Sequence, residues 1–118
     1  MRVCILDSQP GAPAESREWE FDPPKITLRD LIRQRVTREV ESFNLDRQEV
    51  YRGLVQPEDP ERKRKLDPDR QTARALEAFR KNRFLVIAAG RQVESLEEEI
   101  DLTRGEVEFI KLVPLIGG

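Results

Sequence analysis

Histidine is absent from this chain, which removes His-based triads, an imidazole proton shuttle and the ordinary zinc site. Cysteine occurs once, at Cys4; that excludes an internal disulfide and fits a reducing compartment. No apolar stretch nears the roughly 20 residues that span a bilayer, and no segment reads as a secretory leader. The expected location is therefore the cytosol, with no membrane partner. Gly11, Gly53, Gly90 and Gly105 are scattered singly and form no phosphate-binding loop. An excess of one charge is missing too. Charged and hydrophobic residues each make up 37% and the net charge is −2, a balance that implies neither a nucleic-acid field nor an acidic disordered tail. Arg62-Lys63-Arg64-Lys65 sits among Glu58, Asp59, Glu61 and Asp67, and reads as a salt-bridged surface rather than a nucleic-acid patch. Glu97-Glu98-Glu99 matches no metal-site spacing; it reads as a solvated turn or as a face toward a basic surface. The chain is expected to be no enzyme and to hold no metal or cofactor of its own.

What is present suits one α+β domain of 118 residues. Arg2 to Leu6 reads as a buried strand, with Cys4 as an inert core residue. Ser8 to Ala14 is turn material. Trp19 and Phe21 alternate with Glu18, Glu20 and Asp22, the period of a half-buried strand pairing back on the first. Thr27 is a good N-cap, with Ile26 and Leu31 placed for a hydrophobic staple. Leu28, Leu31, Ile32, Val36, Val40 and Phe43 then mark the apolar face of a long helix, and Arg29, Arg33, Arg35 and Arg38 are expected to cover its other side. Pro57, Pro60 and Pro68 break the next segment, where Tyr51, Leu54 and Val55 offer one small apolar anchor. Asp69 is expected to cap a second helix running to Asn82, with Ala73, Leu76 and Phe79 inward. The whole stretch from about 44 to 83 reads as a helical and loop insertion over the surface. Phe84 to Ala89 is a buried run ended by Gly90-Arg91, and Gln92-Val93-Glu94 is the return arm of a turn. Ile100 and Leu102 are apolar points in an acidic stretch, Thr103 to Glu106 is a turn, and Val107 to Val113 a final strand.

The last residues are Val113-Pro114-Leu115-Ile116-Gly117-Gly118. Without Cβ atoms, two glycines let a terminal carboxylate lie extended in a slot too narrow for side chains. Pro114 stiffens the stalk and stops the last strand pairing further. Leu115 and Ile116 gain little unless a partner buries them.

The element order and the di-glycine together resemble the ubiquitin-like β-grasp family, a mixed sheet crossed by one long helix. Leu85-Val86-Ile87-Ala88-Ala89-Gly90-Arg91-Gln92-Val93-Glu94 is similar to ubiquitin's third strand and following turn. Leu102-Thr103-Arg104-Gly105-Glu106-Val107-Glu108-Phe109-Ile110 and Pro114-Leu115-Ile116-Gly117-Gly118 are similar to prokaryotic sulfur carriers, the small subunit of molybdopterin synthase and the thiamine-pathway carrier. The resemblance covers residues 1 to 43 loosely and 84 to 118 closely, and residues 44 to 83 have no counterpart in a minimal β-grasp domain. No basic residue follows Lys111, unlike ubiquitin's arginine-bearing tail, which points to a dedicated prokaryotic activating enzyme.

The resemblance implies a bacterial ubiquitin-like modifier. Its Gly118 carboxylate would be adenylated by an activating enzyme using Mg-ATP and then joined to a target protein, with a conjugating enzyme and a deconjugating protease as possible further partners. A sulfur carrier ending in a Gly118 thiocarboxylate is the alternative, and a non-conjugated adaptor the second. By the local match Ile87 falls where ubiquitin keeps its central hydrophobic contact, with Leu112 beside it; as part of a buried run, Ile87 is equally a core residue. Lys25, Lys63, Lys65, Lys81 and Lys111 could each accept another copy's tail.

Overall fold

The computed structural model describes residues 1–45, 54 and 66–112. Strand β1 (Arg2–Gln9) buries Val3, Ile5 and Asp7 and leaves Cys4, Leu6 and Ser8 half-buried on its other face. It pairs antiparallel with β2 (Ala12–Glu20) across the two-residue turn Pro10-Gly11, where Gly11 takes φ 77°. The strands thus run well into the segment expected to be turn. The register slips between Asp7 and Gln9, opposite Pro13, whose missing N–H is tolerated at such a bulge.

After β3 (Lys25–Thr27), the Thr27 hydroxyl accepts the Asp30 N–H at 3.2 Å and opens α1 (Leu28–Leu45). Leu28, Leu31, Ile32, Val36, Val40 and Phe43 are all buried, as their spacing predicts. Helix α2 (Pro68–Arg80) is capped by Asp67, not Asp69: the Asp67 carboxylate accepts the Asp69 N–H, and Pro68 occupies the first turn, where its missing donor costs nothing. Its buried side is Gln71, Thr72, Ala75 and Ala78, while Ala73 is exposed and Leu76 and Phe79 pack partly against the core. Ala75 and Ala78 belong to the main core, as does Leu54. What was expected to lie over the surface is therefore partly built into the domain.

Strand β4 (Phe84–Ala88) turns into β5 (Arg91–Gln92) through Ala89 and Gly90, at φ 52° and 73°, the paired positive φ of a tight hairpin. Strand β6 (Glu99–Asp101) pairs antiparallel with β3, a small second sheet absent from the sequence reading. A 3-10 turn over Leu102–Arg104 ends at Gly105, whose φ of 85° suits glycine, and leads into β7 (Glu106–Lys111).

The main sheet runs β2-β1-β7-β4-β5, with β1 and β7 parallel and every other pair antiparallel. The fold is α+β: a mixed five-stranded sheet with one main helix. Val3, Ile5, Phe84, Val86, Val107 and Phe109 from the central strands join the apolar stripe of α1 in one core. Among the described residues, no helix is long and apolar enough to cross a membrane.

Candidate docking face and the root of the C-terminal segment

Because side chains alternate along a strand, the three central strands present a second face away from the core. Register places Leu6, Glu108 and Ile87 in one row across β1, β7 and β4, and Ser8, Ile110 and Leu85 in the next. All six are half-buried. Ile87 therefore lies on the outer face, half-buried, and is not among the residues of the core cluster. Leu112 follows Ile110 just past the strand and is 44% exposed; the register puts it two rows from Ile87, not beside it as expected, because Ile87 pairs with Glu108. Its N–H donates to the Arg83 carbonyl at 2.9 Å, which holds the chain to the sheet up to that point. Cys4 shares the outer face and is half-buried rather than a core residue. Pro114, Leu115, Ile116, Gly117 and Gly118 lie outside the described residues, as do Lys63 and Lys65.

Glu108 interrupts this apolar surface. Ser8 Oγ donates to its Oε2 at 2.7 Å. Among the described residues, no cation forms an ion pair with Glu108.

Beneath the same end of the sheet sits a buried ionic cluster. Arg35 occupies the apolar stripe of α1, not its solvated side, and is fully buried. Its Nη2 donates to Asp7 Oδ2 at 2.6 Å and its Nε to Glu39 Oε1 at 2.8 Å. The guanidinium lies 4.5 Å from the Phe109 ring centroid and 5.5 Å from that of Trp19, within cation–π range. Burial alone would lower its pKa, but the Glu39 and then the Asp7 carboxylate outweigh that and hold it above the ordinary arginine value. Glu39 also accepts the Leu54 N–H, at 2.9 and 3.1 Å, so one helical carboxylate ties the sheet-facing arginine to the segment after α1. Asn44 adds a second tie, accepting the Leu66 N–H at 2.8 Å and donating to the Leu66 carbonyl at 3.3 Å.

Lys111, the last residue of β7, is only 6% exposed. Burial lowers its ammonium below the ordinary lysine value, Asp7 opposes that and Arg35 reinforces it. It is therefore not an accessible acceptor for another copy's tail in the folded chain. Lys25 and Lys81 are exposed, Lys81 lying 3.8 Å from Glu77.

The acidic run is largely engaged internally. Glu97 accepts from Arg29 at 2.6 Å, and Glu98 pairs with Arg91. Asp101 is exposed, and the Thr103 hydroxyl and N–H that it accepts lower its pKa. Sequence reasoning passed over Asp7 and Glu39 and put Arg35 on the solvated side of α1, where it does not lie. Their signal was positional: residues 31, 35 and 39 are one helical face, and 3, 5 and 7 one strand face. No family model, curated protein or solved structure matches this chain.

Proposed function

We propose that this chain is a ubiquitin-like β-grasp protein modifier, activated at Gly118 and joined through that carboxylate to a target protein. The observation that carries the reading is the strand order β2-β1-β7-β4-β5, with β7 parallel to β1 in the centre and the one long helix on one face. The central strand ends at Lys111 and is followed by the exposed Leu112, two positions before Pro114 in the sequence. Fully extended, the six residues after Leu112 reach at most about 20 Å, enough to enter a neighbouring enzyme while the sheet stays docked.

The chemistry needs a partner's active site. In the cognate activating enzyme, a Gly118 carboxylate oxygen attacks the α-phosphorus of Mg-ATP and pyrophosphate leaves. The acyl adenylate matters because a carboxylate oxygen is a poor leaving group and AMP a good one. A catalytic cysteine thiolate of the partner then displaces AMP, and a lysine amine of the target displaces the thiolate to form an isopeptide bond. Ile87 and Leu112, with the apolar outer face around them, supply the docking contact, and Leu115 and Ile116 line the entry channel.

Sulfur transfer is the second reading, favoured by the Pro-Leu-Ile-Gly-Gly ending. There the outer sulfur of a partner's cysteine persulfide displaces AMP to give an acyl disulfide. A second cysteine thiol of the partner then attacks the inner sulfur, leaving a Gly118 thiocarboxylate and a disulfide on the partner. Deletion of Gly117 and Gly118 tests both readings against a non-conjugated adaptor. Loss of function in the native host supports carboxylate activation, and full retention leaves only the adaptor.

A further inference from the structure

Glu108 is the one carboxylate in the two rows of outer-face residues around Ile87, and the exposed Glu106 follows it in the row beyond, beside Cys4. Its register neighbours are Leu6 on β1 and Ile87 on β4, with Ile110 and Leu85 in the adjoining row. Ser8 Oγ supplies one hydrogen bond at 2.7 Å, and among the described residues no cation pairs with it. In the free chain, water solvates the rest of the carboxylate. A partner that covers this face must remove that water.

Covering an ionised carboxylate with apolar surface alone leaves a buried charge with one hydroxyl for company, an arrangement that opposes binding. Face-to-face pairing of two copies through these rows offers Glu108 no cation, since none of their six residues carries a positive charge. An anionic membrane surface repels it. A guanidinium reverses the sign of the effect: it delivers two parallel donors to a carboxylate and gives up its own hydration more readily than an ammonium does.

We infer that the outer face of β1, β7 and β4 docks a protein surface that sets one arginine, ringed by aliphatic side chains, against Glu108. The apolar rows then supply contact area and the arginine supplies selectivity, since a partner lacking it leaves Glu108 stranded. This rests on the reading that the outer face is the docking surface. It is independent of what happens at Gly118.

The test uses the full chain, labelled with nitrogen-15, and two synthetic stapled helical peptides. Both carry four leucines on one face; one has arginine at the centre of that face and the other glutamate. The arginine peptide is expected to shift the amide resonances of Leu6, Leu85, Ile87, Glu108 and Ile110, and to bind at least tenfold more tightly than the glutamate peptide. Glu108→Lys should invert that preference. Glu108→Gln, which keeps an acceptor for Ser8 without the charge, should abolish it. Circular dichroism melts confirm that each variant is folded, and the Glu108→Gln result stands alone if the lysine variant is not. Equal binding of the two peptides overturns the inference, as do binding elsewhere on the chain and no binding of either up to millimolar concentration. If the preference holds while Gly118 is never activated, the inference survives and the modifier reading fails.

Discussion

Replacing Arg35 by methionine keeps the length and most of the volume of the side chain and removes only the charge and its donors. The structure makes that a severe change. Arg35 is fully buried, as is Glu39, and Asp7 is 7% exposed, so two carboxylates would be left without the guanidinium that bonds them at 2.6 and 2.8 Å. Removing one partner of a buried ion pair costs about 3–5 kcal/mol, and the lost contacts with Phe109 and Trp19 add to it. Lys111 offsets part of the loss, because its ammonium is attracted to both carboxylates, so the expected cost is about 3–4 kcal/mol. Against a total stability of roughly 5–15 kcal/mol for a domain, that lowers the urea midpoint by about 2 M. The single tryptophan makes the assay direct: Trp19 lies 5.5 Å from the guanidinium, so equilibrium urea unfolding followed by its fluorescence reports on this site, with far-ultraviolet circular dichroism as the second probe. The triple variant Asp7→Leu, Arg35→Met, Glu39→Gln removes the three paired charges, leaving only that of the neighbouring Lys111, keeps an acceptor for the Leu54 N–H, and should return to within about 2 kcal/mol of the parent. A single variant that loses less than about 1 kcal/mol, or a triple variant no more stable than the single, would refute the reasoning.

Other outcomes follow from single side chains. Lys111 has a folded-state pKa below its ordinary value of 10.5, so the unfolded chain binds more protons and stability gains a rising slope with pH between the lowered value and about 10.5; Lys111→Met should remove that slope in urea unfolding from pH 7 to 10.5. Asp67→Ala deletes the α2 cap seen at 3.0 Å and should cost about 1 kcal/mol, checked by the same unfolding curves. Ala89→Gly relieves a left-handed alanine at φ 52°, where the strain of roughly 1–2 kcal/mol exceeds the glycine entropy cost of about 0.4–1 kcal/mol; the melting midpoint should rise slightly.

The legible parts of the fold were those whose periodicity was apolar. The α1 stripe from Leu28 to Phe43 and the Thr27 cap could be read directly, and so could the apolar cores of β1, β4 and β7. The expected reach of β1 stopped at Leu6 because Asp7 is charged, yet Asp7 continues the inward phase of Val3 and Ile5. The same habit sent Arg35 to the surface. A charge on an apolar stripe can be buried when its partners lie on other elements, and here Asp7 comes from a strand 28 positions away. Such pairing has no local signature. The short β3–β6 sheet was invisible for a related reason, since Lys25–Thr27 and Glu99–Asp101 each contribute one buried side chain, Ile26 and Ile100, too few to show a period. The face of Ile87 could be assigned only once the register with Glu108 was in place.

The claim that Gly118 is the reactive end is tested most directly by mass spectrometry of the protein recovered from its native host. The account predicts, after digestion, branched peptides in which the Gly118 carbonyl is joined to a lysine of another protein, and their loss when Gly117 and Gly118 are deleted. A Gly118 thiocarboxylate as the main species would contradict the modifier in favour of a sulfur carrier, and an unmodified Gly118 carboxylate throughout would contradict activation altogether.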